Sequence, residues 1–227
     1  MKIPSNKLNE YYDYVSKNWI WILPSEQIKV LQQLKHKEFK PKVIFDIGAN
    51  FLHWYRPAQM MFPESKFYCF EAYPKLEDLY KKNKVNYFIN VLSNKDNRKI
   101  RFYYNEIHAG GNSYYQINPK YSKEFSKDKY LELNTITLDS LVKKNKLNSP
   151  DMIKIDVQGA ELDILEGATE TLKNVEYVIL ELQHANLNMN APLAQQVISY
   201  MDLIGFNLEL DKYSDNGLDA DYLFKKK

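Results

Sequence analysis

Apolar positions recur along this chain with two different periods, and the change from one to the other divides it. Leu8, Tyr11, Tyr12, Val15 and Trp19 fall three or four residues apart, as on one helix face. After Pro24, the set Ile28, Leu31 and Leu34, followed by Phe39, repeats that spacing. Two helices are therefore predicted in an N-terminal helical extension over residues 1–40. Ser25 can cap the second, and Glu26 suits the positive end of its dipole.

From Val43 onward, short apolar runs alternate with amphipathic stretches, the mark of repeated βαβ units and a mostly parallel sheet. The predicted order is strand 43–47, helix 57–62, strand 66–71, helix 74–82 and strand 87–92. Strands over 98–104 and 130–137 flank a stretch rich in Gly, Asn, Ser, Tyr and Lys, read as an inserted, exposed loop over about 105–130. The pattern resumes with helix 138–144, strand 152–157, helix 161–172, strand 177–182 and a helix from Pro192 to about 204. Strands 207–213 and 222–225 close it as a hairpin around Asp215-Asn216-Gly217, placing an antiparallel strand inside or at the edge of the sheet. The expected fold is α/β, doubly wound and Rossmann-like, as one domain over 41–227.

Composition narrows the partners. With 227 residues, 44% of them hydrophobic, the chain suits one full α/β core. Its 31 basic and 29 acidic residues leave a net charge of +2, too little for a nucleic-acid footprint. Cys69 is the only cysteine, so no internal disulfide or cysteine metal cage is expected. The first residues lack a signal peptide's apolar stretch, and the run from Trp19 to Leu23 stops at Pro24, far short of the roughly 20 residues that cross a bilayer. The expectation is a soluble, cytoplasmic protein without a membrane span. That apolar run could equally pack on a second subunit, so a homodimer is possible.

Asp46-Ile47-Gly48-Ala49-Asn50 follows the first strand directly, where a doubly wound sheet presents its carboxyl ends to ligand. Gly48 allows a tight turn close to a cofactor, and Glu71 ends the next strand, where a carboxylate can bind both ribose hydroxyls. Asn50 and His53 stand where a dinucleotide site has its second and third glycines, which disfavours a pyrophosphate. S-adenosylmethionine, with an amine and a sulfonium and no phosphate, suits Asp46 beside the turn. A nicotinamide-dependent sugar oxidoreductase and a non-catalytic binding relative remain as alternatives.

The segments VIFDIGAN (43–50), FYCFEAYP (67–74), NVLSNKD (90–96), TITLDSL (135–141) and IKIDVQGAELDILEGA (153–168) occur in that order. In this the chain resembles the FkbM-type methyltransferases, a branch of the class I S-adenosylmethionine-dependent enzymes. The resemblance implies a seven-stranded sheet with its final strand antiparallel. It also implies O-methyl transfer to a sugar, glycan or other small hydroxylated metabolite. Ala72 would join Glu71 at the cofactor, and Val91, Leu92 and Ser93 would border its adenine. The family usually continues DIGAN with an apolar residue and a second glycine; this chain has Phe51 and Leu52.

Methyl transfer needs alignment of the acceptor oxygen and a group to take its proton. Asp156, at the end of strand 152–157 and facing the crevice, is expected to border the cofactor and to act as base or to orient a histidine. His184 follows strand 177–182, and His108 lies in the inserted loop; both are candidates for base or substrate contact. Gln158 and the loop residues Asn112, Ser113 and Tyr114 complete the expected acceptor contacts, tyrosine rings being suited to stacking on a sugar face. Glu161 reads as a dipole-compensating residue in the first turn of its helix. A divalent ion held by Asp156 with Glu181 or His184 is possible, but without a D-x-D segment no metal site is predicted.

Overall fold

The computed structural model describes residues 7–18, 25–125 and 127–227. Trp19 and the apolar run to Leu23, with the homodimer contact suggested for it, lie outside the described residues.

The strand β1 (Val43–Ile47) is buried along its whole length. It pairs in parallel with β2 (Lys66–Glu71) on one side and β7 (Met152–Ile155) on the other. Runs of apolar residues without alternation suit strands covered on both faces. With β3 (Tyr87–Ile89), β8 (Tyr177–Gln183), β9 (Phe206–Asp215) and β10 (Asp219–Lys226) they form one seven-stranded sheet of order β3-β2-β1-β7-β8-β10-β9. Only β10 runs antiparallel, pairing with β8 on one side and β9 on the other. The terminal hairpin thus places its second strand inside the sheet.

Helices cover both faces. One core takes Val43, Phe45 and Ile47 with Ile153, Ile155, Leu180 and Phe224. It packs beneath α5 (Leu138–Asn145), α6 (Glu161–Glu166) and α7 (Ala194–Leu203). The opposite face takes Ile44, Cys69, Met152, Ile179 and Leu223 beneath α1 (Leu8–Asn18), α2 (Ser25–His36), α3 (Tyr55–Met61) and α4 (Glu77–Lys82). Leu8, Tyr12, Val15, Val30, Leu31 and Leu34 bring the N-terminal helices into that same core. No helix among the described residues is long and apolar enough to cross a membrane.

Two sequence expectations change. The single strand over 87–92 is two: at Asn90, whose N–H donates to Glu71 O at 2.8 Å, the chain leaves the main sheet. β4 (Val91–Leu92) then pairs with β6 (Tyr130–Ile136), which also pairs antiparallel with β5 (Lys99–Tyr103). The long helix over 161–172 stops at Glu166, and a separate 3-10 turn forms at Thr171–Asn174. Just past that end the backbone crosses another segment, where a Cβ on Gly167 would sit 2.2 Å from Ser93 O, so this position needs glycine.

Candidate active site

Side chains alternate across a strand, so Asp46, Lys154 and Glu181 share a face with Ile44, Met152 and Ile179. That face is apolar toward the amino ends of the parallel strands and turns polar at their carboxyl ends. The antiparallel β10 brings its own first residues, Asp219 and Asp221, to the same edge, opposite Gln183 and Glu181. There a cavity of about 480 Å³ opens, lined by the β1 and β2 ends, the loop after β7, the inserted loop and Gln27 of α2.

The turn after β1 is held by a close approach. Gly48 has φ +78°, and a Cβ on it would lie 1.8 Å from Asp156 O. Its N–H and that of Ala49 donate to Phe70 O at 2.9 and 3.1 Å. Glycine is needed because the β1 and β7 ends converge there. Asn50 (φ 42°) and Leu52 (φ 66°) are also left-handed. Leu52 is completely buried, so an apolar side chain stands in a backbone conformation that favours glycine.

Glu71, at the β2 end, is buried and lines the cavity. Its Oε2 accepts from Asn50 N–H at 2.9 Å and its Oε1 from Tyr73 N–H at 2.8 Å. Burial pushes its carboxyl above the ordinary value, while those N–H donors pull it back. Each oxygen keeps a second lone pair for a ligand hydroxyl. Ala72, Val91 and Leu92 line the wall beside it.

Across the cavity stands Lys154, a lysine within a buried strand. Its Nζ lies 3.0 Å from Asp156 Oδ2 and 3.8 Å from Asp46 Oδ1. Burial disfavours the ammonium, but the charges of Asp156 and Asp46 outweigh it and hold the lysine above its ordinary value. Burial likewise opposes charge on Asp156, yet Lys154 leads the interactions that keep its carboxyl below the usual range. Gln158, at φ 58°, bridges the row by donating from Nε2 to Asp156 Oδ1 at 3.1 Å and Glu181 Oε2 at 2.5 Å. Burial, and then the charge of Asp156, push the Glu181 carboxyl well above its ordinary value. Burial also raises Asp219 to about 6 and Asp221 to about 7.

Of the other expected residues, Asn112, Ser113 and Tyr114 line the cavity from the inserted loop. That loop is pinned: Tyr114 and Tyr115 donate to Asp163 Oδ2 at 2.6 and 3.0 Å, and Asn188 Nδ2 donates to Tyr115 O. His108 lines the rim, exposed, with Nε2 2.9 Å from Glu124 Oε2.

Three expected residues lie elsewhere. Asp46 sits behind the cavity wall, fully buried, its carboxyl raised to about 6 by burial and paired with Lys154. Ser93 is buried outside the lining, 2.9 Å from Arg98 and 3.3 Å from Tyr114 Oη. His184 falls three residues beyond Glu181, which turns it to the opposite face, where Nε2 lies 3.2 Å from Tyr222 Oη. It does not line the cavity. Asp156 bonds Lys154 and Gln158 rather than a histidine. Glu161 does more than offset a dipole, since its Oε1 accepts from Val157 and Gly159 N–H and ties down the loop that carries Gln158.

Lys154, Gln27 and His53 are cavity residues that had no assigned role from sequence. Lys154 left a signal, a lone cation inside the apolar run Ile153-Lys154-Ile155. His53, lowered to about 4 by burial and then by Lys154, is neutral. Among the described residues no group of three or more His, Cys, Asp or Glu could hold a metal ion.

The residues fit a nucleoside-bearing cation such as S-adenosylmethionine. One end offers a carboxylate beside an apolar wall, and the other offers an excess of acid over base. Asn50 Oδ1 and Asn112 Nδ2, from two lining residues, are buried without a hydrogen-bond partner, as polar atoms awaiting a ligand would be.

Comparison with known proteins agrees. Residues 46–208 match the methyltransferase FkbM domain. A hexuronic acid methyltransferase of Haloferax volcanii is 38% identical over 58 residues, 26% of this chain and 24% of that protein. A 2-O-methyltransferase of Sinorhizobium fredii is 26% identical over 195 residues, covering 80% of this chain and 77% of that one. The match thus spans about a quarter of the first relative and most of the second. An O-methyltransferase family protein of Burkholderia thailandensis shares the fold, with a TM-score of 0.53 at 8% identity, over 97% of this chain and 59% of that one. The chain belongs to the FkbM family of S-adenosylmethionine-dependent methyltransferases.

Proposed function

We propose that this methyltransferase acts on oxygen, with a hydroxyl of a sugar, glycan or other small hydroxylated metabolite as acceptor. The observation that carries this reading is the pairing, across one cavity, of Glu71 with the row Lys154, Asp156, Gln158 and Glu181. The relatives support it, one being named for a hexuronic acid and one for a 2-O position.

In this reading Glu71 receives the two ribose hydroxyls of the cofactor, and Ala72, Val91 and Leu92 pack against its base. S-adenosylmethionine, when bound, supplies an electrophilic methyl group. The chain's own task is to hold an acceptor oxygen in line and to accept its proton. Asp156 serves both ends: Lys154 keeps it charged, so it takes the hydrogen bond of the acceptor hydroxyl and thereby aims an oxygen lone pair. As that lone pair forms the new bond the hydroxyl becomes strongly acidic, and a carboxylate below the usual range is then a sufficient base. Gln158 fixes the carboxylate's orientation and ties it to Glu181, which lines the cavity beside it. Tyr114 and the exposed His108 form the loop side of the acceptor pocket.

The test joins binding to turnover. S-adenosylhomocysteine at about 100 times its dissociation constant should stabilise the protein by roughly 2.7 kcal/mol in thermal unfolding. Asp156→Asn should keep that stabilisation and lose transfer of labelled methyl to hydroxylated acceptors. Full turnover in Asp156→Asn would mean that another group takes the proton.

A further inference from the structure

On the proposed reading of the site as an O-methyltransferase cavity, we infer that its acceptor is an uncharged polyhydroxylated ring, read by Gln27 of the N-terminal helix, and not a uronate. The inference stands on the distribution of charge around the cavity. Lys154 is the only Lys or Arg among the described residues that line it, and three carboxylates, Glu71, Asp156 and Glu181, line it as well.

Lys154 has no charge to spare. Its side chain is 6% exposed, and it is already engaged by Asp156 at 3.0 Å and Asp46 at 3.8 Å. Just beyond, Asp221 is buried and Asp219 is half-buried on the same sheet edge. A carboxylate on an acceptor ring would enter a low-dielectric pocket beside at least one like charge, with no guanidinium or free ammonium among the described lining residues to meet it. The arrangement suits hydroxyls, which donate to carboxylates and accept from amide N–H groups.

Gln27 is the group that extends this wall toward solvent. It lies on α2, half-buried, and lines the cavity although it is 194 residues away from its partner Asp221. One N–H of its amide donates to Asp221 Oδ2 at 2.5 Å. Its second N–H and its carbonyl oxygen are not used by any described residue, so the amide can both donate to and accept from an acceptor hydroxyl. Buried Asp221 anchors it, and a fixed amide discriminates among hydroxyl positions better than a mobile one.

The experiment is a competition between matched acceptors. The full chain, with labelled S-adenosylmethionine, is given methyl glycosides of glucose, galactose and mannose and, separately, the corresponding uronosides, and kcat/KM is measured for each. S-adenosylhomocysteine binding is followed in parallel by calorimetry. We expect at least one neutral glycoside to exceed its uronoside by on the order of 100-fold, the scale at which an uncompensated like charge acts. Gln27→Ala should raise KM for that glycoside roughly tenfold, with little change in kcat or in S-adenosylhomocysteine affinity, as loss of a ground-state contact requires. A uronoside equal to or better than its neutral partner overturns the inference and leaves O-methylation standing. Unchanged KM in Gln27→Ala overturns the assignment of Gln27. No transfer to any sugar, with S-adenosylhomocysteine still bound, overturns the sugar reading and this inference together.

Discussion

Replacing Lys154 by Met should cost the protein about 3 to 5 kcal/mol of stability near neutral pH, the range for removing one partner of a buried ion pair. Met fills much of the space of the lysine stem, so little of the loss is packing. What remains is charge. Asp46 has no exposed surface, and neither of its oxygens has a hydrogen-bond partner, so Lys154 at 3.8 Å is the charge that holds its anion. The pH dependence follows from the direction of the Asp46 shift. Its folded value is about 6 against an ordinary 3.8, so this group destabilises the fold as pH rises from about 4 to 6, and by a constant amount above. Without Lys154 the folded value climbs further, and the added penalty appears only above about pH 6. Asp156 shifts the other way, and the stability that its depressed value contributes above the ordinary carboxylate range is also lost with the lysine. The Asp46 effect makes the deficit larger near pH 8 than near pH 5, while the Asp156 loss is already nearly complete at pH 5 and adds about equally at both. Urea unfolding of wild type and Lys154→Met at those two pH values measures it. The double variant Asp46→Asn/Lys154→Met should recover part of the loss at about pH 8. A deficit under about 1 kcal/mol near pH 8, or one that does not shrink on acidification, would refute the electrostatic account.

Three other outcomes are expected. Glu71→Gln sets an amide N–H against one of the two backbone donors, Asn50 or Tyr73, and should weaken S-adenosylhomocysteine about 10- to 100-fold by calorimetry; unchanged affinity would move the nucleoside elsewhere. His184→Ala should lose about 1 kcal/mol through the Tyr222 contact, with methyl transfer intact, so a large fall in kcat would restore the histidine to the site. Leu52→Gly removes a fully buried side chain, at about 3 kcal/mol, while relieving a left-handed backbone worth roughly 1 to 2 kcal/mol. A net loss near 1 to 2 kcal/mol in urea unfolding is expected, and a stabilised protein would contradict it.

What could be read from the residues beforehand was what depends on neighbours along the chain. The βαβ order, the turn at Gly48, the strand-ending Glu71 and the closing hairpin all write their periods or turn chemistry locally. Segment crossings do not: Gly167 must be glycine because Ser93 O passes against it, and beyond Asn90 the chain pairs Val91 and Leu92 with β6 instead of the main sheet. His184 stands on the face opposite the cavity, beside Tyr222, since one residue along a strand reverses the face. Asp46 sits beside the right turn, but its strand position sends it into the core with Lys154. Gln27 was invisible as a site residue because its partner is separated from it by nearly the whole chain.

The placement of β10 between β8 and β9 has a consequence for how the molecule comes together. β9 is made before β10 yet touches β8 only through it, so neither strand of the hairpin covers β8 until β10 is made and docks. Until they do, β8 is a bare edge carrying Val178, Leu180 and Leu182, a template for pairing with other copies. Fragments that stop before Asp219 should therefore self-associate.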